Sequence, residues 1–221
     1  MHTTPPQNAV FVVLASRSVG RAHLLRSAGY RFVQLTPPFD DSLHPGDFDQ
    51  NRPEDVVMSL ADQKARSLFD NNDLQQYTDA VIVAADTVIL APDGSVLGQA
   101  TDRSDAQRML RLLIDATHHA HTAVVVVDPD TGQAQRFADT VQVRLGQVSD
   151  DQLEQYLDSD RWQGKAGAYN LYDLQPRWPF TVTGDPTTVV GLPMEKLARY
   201  LQRRDLAPEG DPTSTCCCTH E

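Results

Sequence analysis

The chain has few cysteines, and their position excludes one large class of proteins. Only 3 of its 221 residues are cysteine, and they are adjacent at 216–218 in the polar C-terminal stretch. Small secreted domains distribute paired cysteines through the fold, so a disulfide-stabilised scaffold is excluded. The rest of the chain offers no cysteine nucleophile, and it contains no Gly-x-Ser-x-Gly motif that would supply a serine instead.

Positive charge and long apolar runs are also scarce. The 19 Lys and Arg against 30 Asp and Glu give a net charge of −11. This charge disfavours nucleic acid as a partner, because such binding depends on cationic neutralisation of phosphates. No run approaches the ~18 apolar residues of a membrane helix, so no membrane association is expected. Residues 10–14 are interpreted as a first buried strand and not as a signal peptide, which predicts a cytoplasmic protein.

Apolar patterning predicts a single domain over residues 1–207, followed by a disordered polar tail at 208–221. Strands and helices mix without strict alternation, which favours an α/β (mixed α+β) fold with a mixed sheet. Helix starts are indicated by Ser18 as N-cap, by Pro53, by a capping box at Ser149 and by Pro193. The other predicted elements are strands at 31–38, 81–90 and 121–128, a hairpin turn at 92–94 and a helix at 105–115.

One carboxylate interrupts the most apolar of these segments. VIVAADTVIL at 81–90 reads as a buried strand, and its charged member is Asp86. A buried carboxylate costs several kcal/mol unless it is paired, hydrogen-bonded or bound to a metal. A structural acceptor for a neighbouring turn and a functional carboxylate are about equally good interpretations of Asp86.

Several cations and hydroxyls could bind an anion. Ser16, Ser18 and Arg21 lie where a strand turns into a helix, and helix N-termini favour anions. The spacing is not that of a P-loop. Lys64 falls within an apolar helix stripe, and Lys165 is flanked by small residues. Each of these features alone is more often structural, because most such turns bind nothing and most such lysines extend to solvent.

Three histidines lie close together in the stretch HHAH, at positions 118, 119 and 121. Zinc is one interpretation, but a strand would place His119 and His121 on one side and His118 on the other. Further zinc ligands at suitable spacing are missing from the sequence nearby. A dedicated metal site is therefore not expected here.

Taken in order, these stretches resemble the Maf family (septum formation inhibitor Maf and relatives). The resemblance covers about residues 10–202 and rests on LASRSVGRAHLLRSAG, LADQKA, VIVAADTVIL with VLGQ, KAGAY and GDPTTVVGLP. It implies an inosine-triphosphatase-like fold: a twisted mixed β-sheet with flanking helices and two lobes around a cleft.

The resemblance also implies an activity. The family comprises nucleoside triphosphate pyrophosphatases, which convert an NTP or dNTP, including non-standard nucleotides, to the monophosphate and pyrophosphate. It places the catalytic carboxylate at Asp86, which would hold a divalent cation (Mg²⁺ or Mn²⁺) together with Asp41. The substrate-binding positions that it implies are Ser16, Ser18, Arg21, Lys64, Gln99, Lys165 and Tyr172.

The chain departs from the family pattern at several of these positions. Gly20 replaces an arginine, Gln99 a lysine and Tyr172 a glutamine, while Ala116 and Thr188 replace an arginine and an asparagine. A non-catalytic nucleotide-binding regulator linked to cell division is therefore the main alternative function. A metal-binding protein that uses HHAH and the cysteine run is the third. Base specificity and oligomeric state are left open, and a homodimer is compatible with the sequence.

Overall fold

The computed structural model describes residues 12–39, 52–69, 77, 80–206 and 208. Its strands are β1 (Val12–Ala15), β2 (Phe32–Leu35), β3 (Val81–Leu90), β4 (Val96–Leu97), β5 (Ala116–Val127), β6 (Ala134–Leu145) and β7 (Phe180–Thr183). Its helices are α1 (Val19–Ser27), α2 (Pro53–Phe69), α3 (Arg103–Leu113), α4 (Asp150–Asp158), α5 (Leu171–Leu174), α6 (Pro186–Val190) and α7 (Met194–Gln202). The predicted mixed α/β class is confirmed.

The strands form one 7-stranded mixed sheet in the order β2-β1-β3-β5-β6-β7, with β4 paired to β3. The strand β1 runs parallel to both β2 and β3, and the remaining pairs are antiparallel. The strand β1 ends at Ala15, opposite Ala84, whereas β3 continues to Leu90. The second half of β3 therefore extends past the end of its neighbour, and a cleft opens there, outside the carboxyl ends of parallel strands.

Local sequence signals place most helix starts correctly. The side chains of Ser18 and Ser149 cap α1 and α4, the latter with the predicted capping box, and α2 begins at Pro53. The helix α3 begins at Arg103, two residues earlier than predicted, because Asp102 accepts a hydrogen bond from Asp105 N as N-cap. Pro193 takes the N-cap position of α7, so that helix begins at Met194.

Strand bounds differ more from the predictions. The strand β2 covers only Phe32–Leu35 of the predicted 31–38 segment, and two prolines follow it. The strand β5 begins at Ala116 instead of residue 121, because pairing with β6 extends through all three histidines. The short elements α5, β7 and α6 had no sequence prediction, and each is too short to show a full apolar period.

Both faces of the sheet are covered by helices. One face packs against α2, whose apolar side includes Val57, Ala61 and Leu68. The other face carries two separate apolar clusters. One joins the sheet to α1 and α7, and the other joins it to α3, α4 and the aromatic residues Trp162, Tyr169 and Trp178.

Two sequence predictions concern the chain as a whole. The structure contains no helix, within the ranges given above, that has both the length and the apolar character to cross a membrane. The predicted tail lies outside the described residues, apart from residue 208.

Candidate active site

A cavity of about 390 Å³ opens beside β3, where β1 has ended. Side chains alternate along a strand, so Asp86 faces α2 and Thr87 faces α1, and the cavity reaches both. The predicted site residues that line it are Ser16, Ser18, Arg21, Lys64, Asp86, Gln99 and Lys165. The fold thus brings together residues that are separated by up to about 150 positions in the sequence.

Two predicted residues are not part of this lining. Tyr172 lies on α5 with 38% of its surface exposed, outside the cavity, although its neighbours Asn170 and Leu171 line the wall. Asp41 lies outside the described residues.

Asp86 is paired within the core by an ion pair with Lys64. The distance from Lys64 Nζ to Asp86 Oδ1 is 2.5 Å, and the two side chains are only 8% and 12% exposed. Helical spacing places Lys64 on the apolar side of α2, one turn from Ala61 and Leu68. The Lys64 ammonium also lies 5.9 Å from the centre of the Phe39 ring, within cation–π range. The lysine therefore points inward over the cavity and does not extend to solvent.

Three acceptors among the described residues hold Arg21 and fix the plane of its guanidinium. Its Nε donates to the carbonyl of Gly191 at 2.9 Å, its Nη1 to Ser16 Oγ at 3.2 Å and its Nη2 to Thr87 Oγ1 at 3.2 Å. The acceptors come from three separate parts of the chain. Arg21 is consequently a preorganised cation at the start of α1, next to the cavity.

A loop with unusual backbone conformations brings Lys165 to the cavity. Gly164, Gly167 and Ala168 all have positive φ, at 67°, 65° and 59°. Gly167 N donates to Gly98 O at 2.9 Å, and Gln99 forms an isolated bridge with Ala166. The loop after β4 and the Lys165 loop are thereby tied together, which places Gln99 beside Lys165 at the cavity edge.

Tyr169 is a lining residue that sequence reasoning missed. Its hydroxyl lies 3.0 Å from His118 Nε2, and both residues are buried. Burial lowers the pKa of His118 to about 4 and raises that of Tyr169, so both are neutral near pH 7. The KAGAY stretch could have indicated Tyr169, but its partner on β5 could not be found from sequence spacing.

The histidine cluster is divided between the two faces of the sheet, as a strand requires. His119 and His121 lie on one side with ring centres 6.4 Å apart, while His118 points to Tyr169. Throughout the part of the chain that the structure describes, no group of 3 or more His, Cys, Asp or Glu is placed to hold a metal ion. The predicted separation of His118 from His119 and His121 is confirmed.

The charge of the cavity is opposite to that of the whole protein. Arg17, Arg21, Lys64 and Lys165 line it, with Asp86 as the single carboxylate among the described lining residues. The chain as a whole carries −11. Cations gathered around a cleft create a local potential that attracts anions even in an acidic protein. The cavity is therefore suited to a small polyanion.

Comparison with known proteins gives a consistent result. The family model described as "Maf-like protein" matches residues 11–204. The chain is 36% identical over 212 residues to a dTTP/UTP pyrophosphatase of Rhodopirellula baltica, covering 94% of this chain and 88% of the relative. It is 31% identical over 198 residues to a protein of the same name from Acholeplasma laidlawii, covering 90% and 98%. A third relative with this name, from Koribacter versatilis, is 31% identical over 192 residues, covering 87% and 93%.

Proposed function

The chain belongs to the Maf-like protein family, and from this premise we propose that it is a nucleoside triphosphate pyrophosphatase. The reaction cleaves the bond between the α- and β-phosphates and releases the nucleoside monophosphate and pyrophosphate. One observation carries the assignment of this activity to the cavity: among the described lining residues, four cations accompany one carboxylate, the buried Asp86. A triphosphate needs several cations, whereas a hydrolytic step needs a group that orients and deprotonates water.

The phosphate-binding role belongs to the cations and to the start of α1. Arg21 and Lys165 both line the cavity, and Ser16 and Ser18 lie at the helix N-terminus, where backbone N–H groups and the dipole favour negative charge. Because the Arg21 guanidinium is already fixed by its three acceptors, little reorganisation is needed when phosphate binds.

Asp86 is the group that handles the attacking water. Its position on β3, in the middle of the sheet, gives it a rigid support, and Lys64 holds its Oδ1. The lysine compensates the charge of the carboxylate in a buried site and adds a positive charge facing the phosphates. In this arrangement Asp86 orients the water and accepts its proton, while Lys64 stabilises negative charge on the phosphoryl oxygens.

A divalent cation, Mg²⁺ or Mn²⁺, is part of the proposal. Magnesium is usually held by one or two carboxylates together with substrate phosphates and water. A single lining carboxylate among the described residues fits a cation that arrives with the triphosphate, and does not fit an all-protein cage. Asp86 would hold this cation, with Asp41 as a further ligand. When bound, the cation acidifies a coordinated water.

The names of the relatives indicate which nucleotides to test first. We infer that dTTP and UTP are substrates, and that the wall formed by Asn170, Leu171 and Val189 faces the nucleoside. The test is pyrophosphate release over a panel of NTPs and dNTPs, with Mg²⁺ or Mn²⁺ and with chelator. Turnover of dTTP and UTP that depends on the metal supports the proposal. Nucleotide binding without turnover would instead favour the regulator.

Gln99→Lys is expected to raise kcat/KM, because it adds a cation next to Lys165 and the phosphates. Gln99 is exposed, and an exposed charge pair is worth about 0.2–1 kcal/mol, so we expect an increase of at most about 5-fold. The measurement is steady-state kinetics at low ionic strength, where screening is weakest.

Gln163→Lys is the matched control, since Gln163 is also exposed and lines the same cavity. An equal increase in both variants would indicate a general field effect and no specific contact at position 99. If Gln99→Lys is folded and its kcat/KM stays the same or falls, Gln99 is a specificity element and not a weakened phosphate contact.

Gly191→Ala is expected to raise KM by displacing Arg21. Gly191 has φ of 112°, and a Cβ there would lie 2.7 Å from Arg21 Nε. The strained backbone costs roughly 1–3 kcal/mol of stability. Gly132→Ala is the control, because Gly132 also has positive φ but a Cβ there meets nothing within 4 Å. Thermal unfolding and steady-state kinetics of both variants test this. An unchanged KM in a destabilised Gly191→Ala protein would contradict the role given to Arg21.

A further inference from the structure

A row of polar side chains crosses three strands of the sheet next to the active-site cavity. Thr87 on β3 lies directly opposite Thr122 on β5, and Thr122 lies directly opposite Asp139 on β6. The three residues share one face of the sheet, the face that carries α1 and α6. The row begins at the cavity, where Thr87 follows Asp86, and ends at the surface, where Asp139 pairs with Lys196.

The row lies in a position where apolar residues would be expected. On one side of it the same face carries Ala85 and Val124, which belong to the apolar cluster with α1 and α7. On the other side it carries Ile89 and Ala120, which belong to the cluster with α3 and α4. Thr122 itself is 0% exposed. A buried hydroxyl is costly unless it is hydrogen-bonded, so the row requires its partners.

The direction of each hydrogen bond follows from the number of hydrogens available. Thr122 Oγ1 lies 2.7 Å from the main-chain carbonyl of Thr188, which can only accept, so Thr122 donates its one hydroxyl hydrogen there. Thr87 Oγ1 lies 2.9 Å from Thr122 Oγ1, and Thr87 must be the donor of that bond. The oxygen of Thr87 is then left as an acceptor, and Arg21 Nη2 donates to it at 3.2 Å. In this chain of hydrogen bonds, a lone pair of Thr87 Oγ1 therefore faces the Arg21 guanidinium.

A second connection runs from the row to Arg21 through α6. Thr188 is 0% exposed and is held at both ends: its carbonyl accepts from Thr122, and its hydroxyl donates to Asp139 Oδ2 at 2.6 Å. Three residues later, the carbonyl of Gly191 accepts from Arg21 Nε. Anchoring α6 at Thr188 thus also places the Gly191 carbonyl.

We propose that Thr122 and Thr188 are positioning residues for Arg21, and that the cross-strand row holds the guanidinium in the orientation that binds the triphosphate. This inference rests on the proposed function, because it assigns Arg21 to phosphate binding. Neither threonine is among the residues that line the cavity. Thr87 does line the cavity, but its hydrogen is committed to Thr122, so it acts on substrate through Arg21 and not as a phosphate donor.

The first experiment compares Thr122→Val with Thr122→Ser. Valine keeps the volume and removes the hydroxyl, so KM for the nucleotide is expected to rise by roughly 3- to 10-fold with little change in kcat. Serine keeps the hydroxyl, and its KM is expected to stay within about 2-fold of wild type. Thr140→Val is the control on the other face of the sheet: Thr140 is exposed, and the variant removes a hydroxyl that contacts His121 Nδ1 at 2.9 Å, away from Arg21. An unchanged KM in Thr122→Val, or an equal rise in Thr140→Val, would overturn the proposal.

The second experiment asks whether the effect passes through Arg21. If it does, adding Thr122→Val to Arg21→Lys changes KM by less than about 2-fold, because the oriented guanidinium is already gone. The full 3- to 10-fold rise in that background would overturn the proposal.

Calorimetry measures the affinity of the same Thr122 variants for inorganic tripolyphosphate, both in the wild-type background and in the Arg21→Lys background. It therefore separates failure of the positioning role from failure of the enzymatic assignment. Weaker tripolyphosphate binding by Thr122→Val supports the proposal even if no nucleotide is hydrolysed, and unchanged binding opposes it.

Discussion

Asp86→Asn is expected to reduce turnover by about 10²–10⁴-fold while leaving the fold intact, because a group that handles the proton of water contributes this much. Asparagine is nearly isosteric with aspartate, and its Oδ1 can still accept a hydrogen bond from Lys64 Nζ. In the wild-type protein Lys64 Nζ lies 2.5 Å from Asp86 Oδ1. The lost charge leaves Lys64 without its ionic partner from β3. Some loss of stability is therefore expected together with the loss of activity.

Pyrophosphate release and thermal unfolding should be measured on the same Asp86→Asn preparation. Asp115→Asn provides the control, since Asp115 is an exposed carboxylate paired with Arg144 and lies outside the cavity lining. The control should keep wild-type turnover. Retention of more than about a tenth of wild-type activity in Asp86→Asn corresponds to a barrier change below ~1.4 kcal/mol. That result would remove Asp86 from the role of base or metal ligand.

Lys64→Met is expected to affect both stability and substrate binding. Removing one partner of a buried ion pair leaves an uncompensated charge and typically costs about 3–5 kcal/mol. Lys64 and Asp86 meet this condition, with side chains 8% and 12% exposed. Methionine retains most of the apolar stem, so the loss reflects the charge and not the packing against Ala61 and Leu68. A lysine that only covered apolar surface would leave nucleotide affinity unchanged.

The double variant Lys64→Met/Asp86→Asn separates the two effects. It contains neither charge of the pair, so it should recover most of the stability that Lys64→Met loses. Its turnover should stay as low as that of Asp86→Asn. Chemical denaturation measures the first quantity, and nucleotide binding by calorimetry measures the cost of losing the lysine. Wild-type nucleotide affinity in Lys64→Met would contradict the role of Lys64 in substrate binding. A double variant as unstable as Lys64→Met would contradict the loss of stability expected from an unpaired Asp86.

Sequence patterns predicted the elements that carry their own local signals. The β3 strand was predicted at its observed bounds because nine of its ten residues are apolar or β-branched and a Pro-Asp-Gly turn follows it. The caps at Ser18 and Ser149 fixed two helix starts for the same reason. The elements α5, α6 and β7 were missed because each has only four or five residues and is held by tertiary contacts.

The residues that line the candidate site could be predicted from the sequence more completely than the contacts between them. The resemblance to the family supplied Asp86, Lys64, Arg21 and Lys165, and the fold places all four around one cavity. Sequence alone could not show that Lys64 pairs with Asp86, because the register between α2 and β3 depends on packing. The cross-strand row could not be predicted from the sequence either, since Thr87, Thr122 and Asp139 become neighbours only when three strands pair.

The position of bond cleavage shows whether the cavity around Asp86 hydrolyses the bond between the α- and β-phosphates. Phosphorus NMR of wild-type protein incubated with dTTP and Mg²⁺ distinguishes the two anhydride bonds, and the same spectra of Asp86→Asn identify the responsible site. We expect dTMP and pyrophosphate in equal amounts from the wild type and unreacted dTTP from the variant. The appearance of dTDP and inorganic phosphate would exclude cleavage between the α- and β-phosphates, and the same products at the same rate from Asp86→Asn would exclude Asp86 as the responsible group.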